Sequence, residues 1–105
     1  MSKVSDGIVE RVKKIVHATQ PTAKIVLFGS HARGDADNDS DWDFLILLDE
    51  SSAAIKNRVL DDLFELTLET GEAVVPLFRT QDEWEHGNVR ITQFYDEVSK
   101  EGIAV

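Results

Sequence analysis

The sequence predicts an α/β (α+β) fold, a small mixed β-sheet flanked by helices, and three observations carry that expectation. Apolar residues recur at helical spacing near the N-terminus and again after residue 52. Short, strand-length apolar runs lie between and after these stretches. Glycine or proline stands where most of the segments stop. At 105 residues the chain is the size of one domain, 1–105, with a core just large enough to stand alone.

The elements follow in order. Val4, Ile8, Val12, Ile15 and Val16 set an amphipathic helix over residues 3–19, and Pro21 prevents its continuation. Lys24 to Phe28 is a short β-branched and apolar run that ends at Gly29, as a buried strand would. Residues 30–40 are polar, with Gly34 and several Asp, and predict a short helical turn followed by a loop. Trp42 to Leu48, bounded by Asp41 and Asp49, has the length of a strand covered on both faces. Ser51 and Ser52 can cap a helix that carries Ile55, Val59, Leu63 and Leu66 on one stripe, with Leu60, Phe64 and Leu68 beside it. Gly71 suits the end of that helix. Ala73 to Phe78 reads as a third strand, which Pro76 pushes toward a sheet edge or a bulge. Thr80-Gln81-Asp82-Glu83 has capping-box spacing before a short helix with Trp84. A last helix over about 91–100 turns Phe94 and Val98 inward.

Composition narrows the function. Acids outnumber bases 20 to 11, for a net charge of −9, and the stretch from Asp35 to Glu50 holds seven acids and no base. A long nucleic acid needs a basic face to displace its counterions, so it is excluded as a partner. A small nucleotide that brings Mg²⁺ remains compatible, because the cation offsets the local field. No apolar run is long enough to span a membrane, and the N-terminal residues lack the apolar core of a secretion signal. With no cysteine, thiolate metal sites and disulfides do not arise, and a cytoplasmic location fits.

The stretch that carries chemistry is Phe28-Gly29-Ser30-His31-Ala32-Arg33-Gly34, followed by Ser40-Asp41-Trp42-Asp43. Gly29 lets a phosphate approach the backbone, and the amides after it open a helical turn where unpaired N–H groups favour an anion. The Ser30 hydroxyl adds a rotatable donor. Asp41 and Asp43 are two residues apart at a strand start, so their carboxylates share one face with Cα atoms roughly 6.5–7 Å apart. Two hard oxygen ligands at that spacing can share Mg²⁺ and leave its other positions to water and substrate phosphates. Trp42 and Phe44 then face the opposite side as anchors.

Two other motifs fail. Gly29 and Gly34 match half of a P-loop, but Asp35-Ala36 stand where Lys-Ser/Thr is required. An EF-hand begun at Asp35 finds Ser40 and Ile46 at the Gly and Glu places. Begun at Asp39, it finds Phe44 at the glycine place. Arg33 suits either a phosphate contact or pairing with Asp35 or Asp37. Asp35, Asp37 and Asp39 read as solvated loop acids. His17, His31 and His86 show no ligand spacing and receive no role. Trp84, Phe94 and Tyr95 read as packing residues, Tyr95 with an interface as its alternative.

Gly29-Ser30, ten residues, then Asp41-x-Asp43, with Ala32-Arg33-Gly34 and Ser40 around them, resembles the minimal nucleotidyltransferase family of the DNA polymerase β-like superfamily. The core of the match runs over about 25–48, and the following helix and strand extend it. The resemblance implies a Mg²⁺-dependent nucleotidyltransferase, with one or two ions, that moves a nucleotidyl group, often AMP, from ATP or another NTP to a hydroxyl. By position, Gly29, Ser30 and Arg33 would bind the nucleotide, and Asp41 and Asp43 would be catalytic and hold the metal. The family also places a third carboxylate on the strand after the long helix, where this chain has Ala73-Val74-Val75-Pro76. Glu72 or Glu69 are the candidates to replace it. Without one, a second class stays open: an antitoxin-like or regulatory module that acts with a HEPN-type helical partner, as relatives of this size do. A homodimer is a further expectation, since a small sheet has edges to cover.

Overall fold

The computed structural model describes residues 3–50, 52–88 and 92–105, with side chains from Gly7 onward. In chain order the elements are α1 (Lys3–Thr19), β1 (Lys24–Phe28), α2 (Ser30–Arg33), β2 (Trp42–Leu48), α3 (Ala53–Thr70), β3 (Val74–Thr80), α4 (Gln81–His86), α5 (Gln93–Glu101) and β4 (Ile103–Ala104). Among the described residues the sheet has four strands in the order β3-β2-β1-β4. β1 runs antiparallel to both β2 and β4, and β3 runs parallel to β2. The sheet is therefore mixed, with β3 at one edge, where Pro76 is tolerated.

β2 explains why the molecule has three layers. Its burial is nearly continuous, and alternate residues serve opposite sides. Trp42, Phe44, Ile46 and Leu48 join Ile8, Val12 and Val16 of α1 and Val59, Leu63 and Leu66 of α3 in one cluster. Leu45 and Leu47 join Val98 of α5, with Val26, Phe28, Leu77, Trp84 and Phe94 around them, in the other. Two helices thus cover one face, and α4 with α5 cover the other. Tyr95 lies against Trp84, ring centroids 4.6 Å apart, so the packing role expected of these aromatics holds.

Local chemistry ends the elements where the sequence indicates. Ser52 caps α3 by accepting from the Ile55 amide, and Gly71 closes it at φ 77°. Ser51 and the side chain of Val4 lie outside the described residues, as does residue 91 of the last expected helix. Thr80 and Glu83 form the reciprocal capping box of α4. Two expectations need correction. The third strand runs on to Thr80, because it stays paired with β2 as far as Leu48↔Thr80. β4 was not foreseen: two residues carry no periodicity, and only their pairing with Val26 and Leu27 makes them a strand. Leu60, Phe64 and Leu68, the row beside the core stripe of α3, are exposed. No described helix is long and apolar enough to cross a membrane.

Candidate nucleotide site

β1 ends and β2 begins at the same margin of the sheet, with Phe28 paired to Asp43. Gly29 follows Phe28 at φ 76°, ψ −157°, a conformation that side-chain-bearing residues rarely adopt. A Cβ on Gly29 would also run into the Asp43 carboxylate. Gly29 therefore does two things: it turns the chain into α2, and it leaves room for Asp43 to lie against the backbone. In the turn, the amides of Ala32 and Arg33 donate to the Gly29 carbonyl, at 3.1 and 3.0 Å. The amides of Ser30 and His31 precede the first intrahelical bond and have no acceptor within α2. Gly34 ends the turn at φ 86°, its amide donating to the Ser30 carbonyl.

Asp41 stands just before β2 and is exposed; Asp43 lies inside the strand and is half-buried. Alternation puts both on the α5 side of the sheet, opposite Trp42 and Phe44. Their proximity shows in Asp43, whose pKa is raised first by burial and then by the charge of Asp41. His31 and Arg33 act on it in the opposite sense, so both also lie within electrostatic reach. The turn and the acids thus converge. Arg33 is engaged with Asp35 at 3.2 Å and reaches Glu101 at 3.9 Å. A cavity of about 150 Å³ opens beside them, lined by Phe28, Gly29, Arg33, Glu97, Val98 and Glu101. A larger one, about 360 Å³, lies between α1 and the end of α3, far in sequence from these groups and lined partly by Glu72. Charge and backbone geometry, not cavity size, mark the site.

The loop between turn and strand is built by its own side chains. Asp37 accepts from the Asp39 amide at 2.9 Å and from the Ser40 hydroxyl at 3.2 Å. Asp37 is exposed, as expected of a loop acid, and these bonds make it a brace as well. His31, to which the sequence assigned nothing, stacks on Trp42 with ring centroids 3.5 Å apart, and its Nε2 lies 3.3 Å from the Ser40 carbonyl. It clamps the loop over β2 immediately before Asp41. No spacing could reveal this, since the contact depends on how the loop folds back.

The third carboxylate is not supplied by either candidate. Glu72 accepts from the Trp42 indole at 3.1 Å, on the sheet face opposite Asp43. Glu69 pairs with Arg11 of α1. In each case a nearer partner on α1 or β2 holds the acid. The β3 residue in register with Asp43 is Val75, on the same face and 43% exposed. Among the described residues no three His, Cys, Asp or Glu side chains gather as a metal site. Asp41 and Asp43 are the carboxylates that the start of β2 brings to the turn, and such a pair could hold a Mg²⁺ ion whose other positions go to water and phosphate.

Comparison with known proteins agrees with this layout. No curated protein matches the chain in sequence. A crystal structure of a toxin-antitoxin with AMP-PNP superposes over 90% of this chain and 69% of its own, at a TM-score of 0.62 and 18% identity. At that identity it shows the shared fold. The nucleotidyltransferase domain model matches residues 9–100. That span takes in the Gly29 turn, both aspartates and every layer of the sheet packing, and the chain belongs to the nucleotidyltransferase domain family.

Proposed function

We propose that this domain binds a nucleoside triphosphate with Mg²⁺ and transfers a nucleotidyl group, AMP when ATP is bound, to a hydroxyl. The observation that carries the reading is the seating of Asp43 against Gly29, with Asp41 and Arg33 in electrostatic range. The Ser30 and His31 amides and the Ser30 hydroxyl bind phosphate oxygens, and Arg33 exchanges Asp35 for phosphate. Asp41 and Asp43 hold Mg²⁺, which supplies charge neutralisation for the attacking and leaving oxygens. The acceptor oxygen bonds to the α-phosphorus, pyrophosphate leaves, and the hydroxyl proton passes to a base. Calorimetric titration of ATP·Mg²⁺ tests this: the Asp41→Asn/Asp43→Asn protein should bind at least roughly tenfold more weakly than wild type, since the amides keep shape but lose the ligand charge. Equal affinities would sink the site.

A second reading is favoured by Val75. With Val75 where the family sets an acid, β3 supplies no base at that position, and in this reading the domain acts as an antitoxin-like binding module with a separate, HEPN-type helical protein in the cytoplasm. The toxin-antitoxin neighbour supports a protein partner. Val75→Asp separates the two readings. If the base alone is wanting, labelling of an acceptor by radioactive ATP should rise by about two orders of magnitude, the usual contribution of a general base. No gain would favour the binding module.

A further inference from the structure

On α3, Leu60, Phe64 and Leu68 follow at four-residue intervals and are 41, 63 and 70% exposed. They turn away from Val59, Leu63 and Leu66, which already give the helix its core face. A groove of about 270 Å³ runs between this row and the β3 edge, with Leu60, Phe64, Val74 and Pro76 among its walls. Folding does not account for so continuous an apolar surface.

We propose that this face receives an amphipathic helix of a separate protein, one whose apolar stripe is flanked by Lys and Arg. The inference deepens the reading that the domain works with a protein partner and rests on it in part; the chemistry of the partner helix is argued from this chain. Rows at i, i+4 and i+8 beside a groove are what a docked helix contacts. An added strand fits less well, because Pro76 in the middle of edge strand β3 has no N–H, and a proline is tolerated there with its nitrogen outward.

Charge selects the occupant. Asp61 lies one step around the helix from Leu60, and Glu65 lies farther on, bordering a hollow where it, Asp62 and Glu69 face Arg11 and Lys14 of α1 and leave an acidic excess. Neither forms an ion pair among the described residues. A second copy of this chain is the rival. Antiparallel pairing about Phe64 would set Asp61 of each copy beside Glu65 of the other, between two chains of charge −9. A helix with basic flanks meets the same acids as partners and is steered toward them at long range.

The test uses two fluorescein-labelled synthetic helices of about twenty residues, long enough to hold helical form on a surface. They share a leucine stripe and differ in carrying Lys or Glu flanks. Anisotropy titration of the full chain should show at least about tenfold tighter binding of the Lys-flanked helix. Phe64→Ser/Leu68→Ser should weaken that binding about tenfold or more, with the melting temperature and ATP·Mg²⁺ affinity unchanged. Equal affinities for the two helices, or indifference to the serine pair, would overturn the proposal. So would a wild-type dimer in sedimentation that the serine pair turns into monomer, because a second copy would then cover the face. Asp43→Asn should leave helix binding intact. If ATP binding fails while this binding persists, only the nucleotide reading falls.

Discussion

Asp43 meets three influences at once. Burial raises its pKa most, Asp41 adds to the rise, and His31 and Arg33 oppose it. A raised native pKa means that the folded protein holds this proton more readily than the unfolded chain just above the ordinary value of 3.8. Ionisation of Asp43 therefore lowers stability as pH rises through that window, and the loss persists at neutrality. Asp43→Asn should stabilise the nucleotide-free protein at pH 7, by less than about 1 kcal/mol because the group is only half-buried and water screens it. Thermal melts of both proteins across pH check this: the difference should shrink as the pH falls toward 3.8. Under the proposed function the same change should weaken ATP·Mg²⁺ binding, in the opposite sense to its effect on the free protein. At this scale the sequence was informative wherever chemistry is local. Gly29, Asp41 and Asp43 were legible because a turn glycine and a period-2 acid pair imply their geometry. His31 was not, because its stacking partner Trp42 lies across a loop.

The same distinction holds for the elements. Thr80 and Glu83 were readable as a cap, since both bonds close within four residues. The Thr80 amide donates to Glu83 at 2.8 Å, and this bond, ahead of the smaller influences, lowers the pKa of Glu83. A lowered native pKa gives stability that is present above the ordinary 4.5 and fades as pH falls through the depressed value. Thr80→Ala should cost about 1 kcal/mol, the usual worth of an N-cap. It should also loosen Trp84, which packs edge-on against Phe94 at 6.0 Å. Circular dichroism melts and tryptophan emission measure the two effects. For α3 the sequence was ambiguous in a specific way. Its apolar residues form two adjoining stripes, and periodicity does not say which one the sheet will take. Contact with α1 and β2 chose Val59, Leu63 and Leu66.

At the scale of the whole molecule, pairings between distant residues decide what the sequence left open. β4 closes the free side of β1, and the Val105 amide donates to the Ile25 carbonyl at 3.0 Å. Val105→Pro removes that donor and leaves a carbonyl of the sheet unpaired, which should cost roughly 1–3 kcal/mol. In a domain of this size each 1 kcal/mol is about 4–8 °C of melting temperature, so the loss is easily measured. An unchanged melt would show that β4 contributes nothing to the fold. The fate of Glu72 and Glu69 was equally non-local, since each follows a partner some thirty or more residues away in the chain.

The central strand has one more consequence. Sliding β2 by a single residue would swap Phe44 and Ile46 with Leu45 and Leu47 between the two clusters and turn Asp43 toward α1 and α3. Grease on both sides thus sets the alignment of carboxylate and turn, with no help from the charges themselves. An alignment set this way does not depend on the reactive groups, so either carboxylate can be replaced and the chain still finds the same register.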